Sequence, residues 1–232
     1  MKDAGRLFDE YAEAYERALS NALVVSGESR EYFAEQRVTW LARCLQEAGE
    51  TPRRLLDFGC GDGATTPLLL AALIAESAVG IDVSAKSLEI ARAHYVTAKI
   101  RYESIGEFRQ SGQLDLAYCN GVFHHIPPAQ RAEALTLVHG ALRTGGLFSF
   151  WENNPWSLAT RYVMSRCAFD RDAITLTPPE ARSLLRDGGF EILRTDFRFI
   201  FPRALRALRK IEDFVYRAPL GSQYQILCRK VQ

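Results

Sequence analysis

Between Leu55 and Ala64 a short apolar run carries a carboxylate, Asp57, and gives way to Gly59-Cys60-Gly61-Asp62-Gly63. Glycine lets a backbone turn sharply and approach a ligand with no Cβ in the way. The spacing therefore predicts a buried strand, a ligand-cradling loop and a helix from Thr65. The same glycines fit a dinucleotide fingerprint, with a pyrophosphate on the helix N-terminus, and they also fit a tight strand-to-helix turn with no ligand. Charge separates the ligands. Asp57 beside the loop and Asp62 within it would repel a diphosphate and suit a molecule carrying positive charge. The sulfonium and α-ammonium of S-adenosylmethionine meet that requirement. A second apolar run, Ala78 to Ile81, ends in Asp82. In a doubly wound sheet a carboxylate there faces ribose hydroxyls and can accept two hydrogen bonds. It can equally close a strand before a helix capped by Ser84.

Four stretches in this order, Leu55 to Gly63, Val79 to Ser84, Leu114 to Asn120 and Leu142 to Leu147, resemble the class I S-adenosylmethionine-dependent methyltransferases. The resemblance implies an α/β fold: a doubly wound, mostly parallel seven-stranded sheet with helices on both faces (Rossmann-like) and a helical N-terminal lid. It implies S-adenosylmethionine as methyl donor, S-adenosylhomocysteine as product, and an oxygen, nitrogen or carbon nucleophile of a small molecule as acceptor. By the same resemblance Asp57, Gly59, Cys60 and Gly61 approach the methionine part of the donor. Asp82 holds the ribose, Ser104 or Glu103 with Ile105 reach the adenine, the Asn120 backbone carbonyl meets the ammonium, Val122 or Phe123 lies near the transferred methyl, and Val83 and Gly121 also bind the donor. Tyr11 and Tyr15 would close over the site, Tyr15 on the catalytic side, and Arg37 would pair with the donor carboxylate. A guanidinium suits that partner because its planar fork binds both oxygens.

The acceptor chemistry rests on fewer residues. His124 and His125 follow the fourth strand, and imidazole titrates near neutrality, so His125 is the candidate proton acceptor. Glu152 and Asn154, after the fifth strand, are expected at the mouth of the site with their polar ends exposed, and Glu152 is a second catalytic candidate. The segment Glu152 to Trp156, followed by Cys167-Ala168-Phe169-Asp170, resembles methyltransferases of undefined substrate. The scattered cysteines and absent CxxC pair predict no metal site and no disulfides.

These residues need a scaffold. Strands are expected near residues 53–58, 78–82, 99–103, 114–119 and 146–151, with a last pair at 190–197 and 223–230. Helical spacing predicts helices over residues 6–25, Arg30 to Glu47, Lys86 to Tyr95, 155–167 and, after a Thr177-to-Glu180 cap signal, up to Arg186. Beyond Phe201, Leu205, Leu208, Ile211 and Phe214 share one side of a predicted basic amphipathic helix whose other side, its arginines partly balanced by Glu212 and Asp213, is either a solvated outer face or a surface for an anionic membrane or an acidic substrate. One domain is expected: lid 1–50, cofactor core 51–152, acceptor side 153–232. With 232 residues, 47% hydrophobic, 25% charged and a net charge of +1, the chain gives no electrostatic reason to expect nucleic acid. The start lacks an apolar signal core and no stretch is long enough to insert stably in a membrane, so a cytoplasmic monomer or homodimer is expected. Two alternatives stand beside the methyltransferase: an NAD(P)-dependent oxidoreductase on a related sheet, and a non-catalytic S-adenosylmethionine-binding protein.

Overall fold

The computed structural model describes Leu23 and residues 26–109, 111–167, 170 and 173–231. Tyr11 and Tyr15, and the first of the two N-terminal helices apart from Leu23, lie outside the described residues. The chain then alternates strand and helix: α1 (Arg30–Glu47), β1 (Arg54–Phe58), α2 (Thr65–Ala72), β2 (Ser77–Asp82), α3 (Ala85–Tyr95), β3 (Ile100–Ser104) and β4 (Leu114–Asn120). There follow α4 (Arg131–Ala141), β5 (Leu142–Asn153), α5 (Leu158–Arg166), α6 (Pro178–Asp187), β6 (Phe190–Arg198), α7 (Arg209–Val215) and β7 (Gln223–Lys230).

One seven-stranded sheet has the order β3-β2-β1-β4-β5-β7-β6. The first five strands pair in parallel, and β7 lies antiparallel between β5 and β6. The chain winds outward from β1 through β2 to β3, then returns to β4 on the other side, so the direction reverses between β1 and β4. Ligands bind outside the carboxyl ends of strands at such a reversal.

Alternation along each strand feeds two cores. Leu56 and Phe58 of β1, Ala117 and Cys119 of β4, and Phe148 and Phe150 of β5 pack with Leu135 and Val138 of α4 and Leu185 of α6. Their neighbours Leu55, Leu116 and Tyr118, and Leu147 pack on the opposite face with Val38, Leu41 and Leu45 of α1 and Leu88 of α3. Helix starts follow their caps. Ser29 accepts the Tyr32 N–H, Ser84 accepts the Ser87 N–H, and Thr177 and Glu180 form a reciprocal capping box.

Two expectations changed. β5 starts at Leu142 and runs through Gly145-Gly146, because Leu142 already pairs with Leu114 and a register shift before Leu116 absorbs the irregularity. The segment after Phe201 is a 3-10 turn, Arg203–Leu208, kinked at Leu205, and only then the short α7. Its apolar side faces outward: Phe214 is 85% exposed, with Leu205, Leu208 and Ile211 also exposed. Glu212, expected on the solvated side, is buried and accepts the backbone N–H groups of Phe199, Ile200 and Phe201. A chain leaving a strand end needs acceptors for those donors, and that requirement sets which side of α7 turns in.

Candidate functional site

At the carboxyl ends of β1, β2 and β4 lies a cavity of about 800 Å³, toward the large end of the roughly 300–1,000 Å³ usual for small-molecule sites. The loop after β1 forms one wall. Gly59 has φ +72°, and a Cβ there would stand 2.3 Å from Val122 Cγ2. Gly61 has φ +55° and nothing within 4 Å of the same position; it lines the cavity. The first glycine is required by packing against Val122, and the second by its left-handed backbone.

The direction of the loop amides decides what that space can hold. The N–H groups of Gly59 and Cys60 both donate to the Ile81 carbonyl, and that of Gly63 to the Cys60 carbonyl. Gly61 N–H donates to Asp82 Oδ2 at 2.8 Å and Ala64 N–H to Asp62 Oδ1 at 3.2 Å. A phosphate cradle needs such donors aimed at the ligand; here five already have acceptors inside the protein. What faces the cavity is acceptor-rich. Asp82, 9% exposed, lines it while accepting from Gly61 and, at 2.9 Å, from Ser84 N–H. Asn120 Oδ1 is buried with no hydrogen-bond partner, and Asn120 also lines the cavity. A buried acceptor costs free energy until a donor reaches it.

The charge argument drawn from the sequence needs correction at two residues. Asp62 forms a bidentate pair with Arg30, both contacts 2.6 Å, so its charge is balanced within the protein. Asp57 borders the cavity but is only 3% exposed and accepts from Thr66 Oγ1 at 2.7 Å. Burial, reinforced by Asp82 and Asp62 against the Thr66 hydrogen bond, pushes its carboxyl up to about 7. Of the three acids at this loop, Asp82 meets two backbone amides at the cavity wall, where Glu31, Glu35 and Asp170 also lie.

Arg37 is buried at the cavity wall, donating to Tyr118 Oη at 3.3 Å and Gln223 Oε1 at 3.0 Å. Among the described residues it makes no ion pair. Cys60, Val83, Ile105 and Gly121 line the cavity as expected. Ser104 does not: its hydroxyl turns to Glu107 Oε2 at 2.9 Å, and Glu103 pairs with Arg101 on the surface. Ile105 alone of that group faces the space.

On the acceptor side Glu152 and Asn154 are fully buried, not exposed at the mouth. Asn154 holds the Pro219 and Gly221 carbonyls and the Trp156 N–H. Glu152 accepts the Phe123 N–H at 2.8 Å and stands 2.6 Å from His124 Nδ1. It does not reach the cavity, so it is a positioning residue and not a catalytic one. His124 and His125 do border the cavity, with ring centroids 4.1 Å apart. Burial opposes charge on His124, but Glu152 and Asp170 outweigh it and raise its pKa to about 10. Burial and then the neighbouring His124 lower His125 to about 4. Asp170 Oδ1 lies 3.6 Å from Nε2 of each ring. The sequence reading expected no clustered metal ligands; the fold brings these three together. It also missed Arg30, Thr66, Tyr118 and Gln223, whose partners are 9 to 186 residues away and leave no local pattern.

Residues 55–146 match the family described as "Methyltransferase domain". The ubiquinone biosynthesis O-methyltransferase of Aromatoleum aromaticum is 33% identical over 121 residues, 49% of this chain and 48% of that protein. The trans-aconitate 2-methyltransferase of Methylobacterium radiotolerans is 31% identical over 118 residues, 50% of this chain and 45% of that protein. The chain thus spans about half the length of these curated relatives. A solved structure from Thermotoga maritima, described as a SAM-dependent methyltransferase and possible histamine N-methyltransferase, superposes with a TM-score of 0.66 over 97% of this chain and 99% of that one. Its identity is 17%, so that likeness bears on the fold alone.

Proposed function

We propose that this chain, whose residues 55–146 match a methyltransferase domain, is a class I S-adenosylmethionine-dependent methyltransferase that catalyses methyl transfer from S-adenosylmethionine to a nucleophile on a small molecule. The observation that carries the reading is the loop at 59–64, five of whose amides are bonded within the protein, while Asp82 and Asn120 line the cavity beside it and Asn120 Oδ1 has no hydrogen-bond partner. That arrangement suits a cationic adenosyl thioether and disfavours a diphosphate, which sets the oxidoreductase alternative aside.

The residues fit the donor group by group. Asp82 takes the ribose hydroxyls, Asn120 the ammonium, Arg37 the carboxylate, and Ile105 and Val83 the adenine, with Gly61 allowing close approach. When bound, the donor supplies an already activated methyl group. The protein's contribution is alignment, which can supply roughly 7–11 kcal/mol when reacting atoms are held in near-attack geometry. His125 faces the acceptor side, held in place by Glu152 through His124. Tyr11 and Tyr15 of the lid would complete the enclosure, with residues 153–232 supplying the acceptor wall. All five cysteines are buried and form no disulfide with one another, which supports a reducing compartment such as the cytoplasm, and among the described residues no helix is long and apolar enough to cross a membrane.

The test is a screen of small-molecule pools with radiolabelled methyl donor. Label should pass to a low-molecular-weight acceptor in the presence of wild-type protein and fail to pass with Asp82→Ala. Donor binding with no acceptor labelled in any pool would favour the non-catalytic binding protein.

A further inference from the structure

We infer that His124, His125 and Asp170 form a binding site for a divalent transition-metal cation on the acceptor side of the cavity. Nε2 of each histidine lies 3.6 Å from Asp170 Oδ1, and one ligand atom from each residue falls within 4.8 Å of the others. Ligand atoms at bonds of about 2.0–2.2 Å around one cation stand roughly 3–3.5 Å apart, so shifts of the order of 1 Å close the set. Two imidazoles and one carboxylate suit Zn²⁺, Co²⁺, Fe²⁺ or Mn²⁺, whereas Mg²⁺ and Ca²⁺ prefer oxygen ligands throughout.

Glu152 distinguishes the cluster from three polar side chains that merely meet. Its carboxylate, fully buried, accepts from His124 Nδ1 at 2.6 Å and from the backbone N–H groups of Phe123 and His124 at 2.8 and 3.3 Å. The ring is thereby fixed with Nε2 toward Asp170. A carboxylate behind a ligating histidine sets the tautomer and orientation a metal needs. On binding, the cation takes the place of any Nε2 proton, which passes to solvent. His124, His125 and Asp170 all border the cavity, so the remaining coordination positions open onto it. If the methyl-transfer reading holds, those positions would receive an oxygen of the acceptor, and the acceptor is then a hydroxyl- or carboxyl-bearing molecule.

The test uses the untagged full chain, stripped with chelator and titrated with Co²⁺ alone. We expect one Co²⁺ per chain with visible d–d absorption. Asp170→Asn and His125→Gln, both at partly exposed side chains, should weaken binding at least tenfold. Glu152→Gln, which only orients His124, should weaken it by about 10–100-fold. Thermal melting of each variant confirms folding. No saturable binding up to millimolar Co²⁺, or wild-type affinity in folded Asp170→Asn, overturns the site. Calorimetry with S-adenosylhomocysteine on the metal-free protein reads the donor pocket separately: failure there counts against methyl transfer and leaves the cation site standing.

Discussion

Asp82 is the residue on which ligand recognition turns, because its two oxygens tie the loop at Gly61 and the helix start at Ser84 while bordering the cavity. Asp82→Ala should weaken S-adenosylhomocysteine binding tenfold or more by calorimetry, in line with about 1.5–3 kcal/mol for charged hydrogen bonds; unchanged affinity would remove it from the pocket. The two glycines make opposite predictions. Gly59→Ala must displace Val122 and should lower the melting temperature markedly. Gly61→Ala meets no wall, so it should cost only about 1–2 kcal/mol for the left-handed backbone yet lose most ligand affinity. Asp57 supplies a pH signature. Its carboxyl is raised from 3.8 to about 7 in the fold, so the stability it contributes is complete below about pH 4 and lost as pH rises through 7. Asp57→Asn should therefore gain on wild type between pH 5 and pH 8 in urea unfolding, by at most ~3 kcal/mol. A pH-independent gap would contradict the raised value.

At the scale of elements, the sequence is legible where the cause is local. Ser84 and Thr177 mark helix starts because a side-chain oxygen satisfies an amide three residues on, and the same chemistry places the caps in the structure. Thr177→Ala should destabilise the fold by about 0.5–2 kcal/mol without altering S-adenosylhomocysteine affinity, since the capping box is exposed and away from the cavity. The segment 203–215 was misread because helical periodicity shows which residues share a side and not which side turns in. Glu212 settles that by serving three backbone donors of the preceding loop. Ser104 is an exception among local causes: its hydroxyl bonds Glu107 three residues on, and so it turns from the cavity.

For the whole molecule, alternating strand and helix patterns point to a mostly parallel sheet with helices on both faces, as the structure has it, and the glycine loop lies in the wall of the cavity. What the linear chain does not display is long-range pairing. The Arg30–Asp62 pair spans 32 positions and the Arg37–Gln223 contact 186, and each changes the charge or donor set that the ligand meets. In place of the negative loop inferred from Asp57 and Asp62, the structure sets a buried acid, Asp82, at the cavity wall, with the amides of Gly59, Cys60, Gly61, Gly63 and Ala64 bonded within the protein. The conclusion about the ligand survives on different grounds. It is tested most directly by calorimetry of the same protein preparation against S-adenosylmethionine and NADH. Saturable binding of the first, with none of the second at millimolar concentration, is the expected result; saturable NADH binding with no S-adenosylmethionine binding would contradict it.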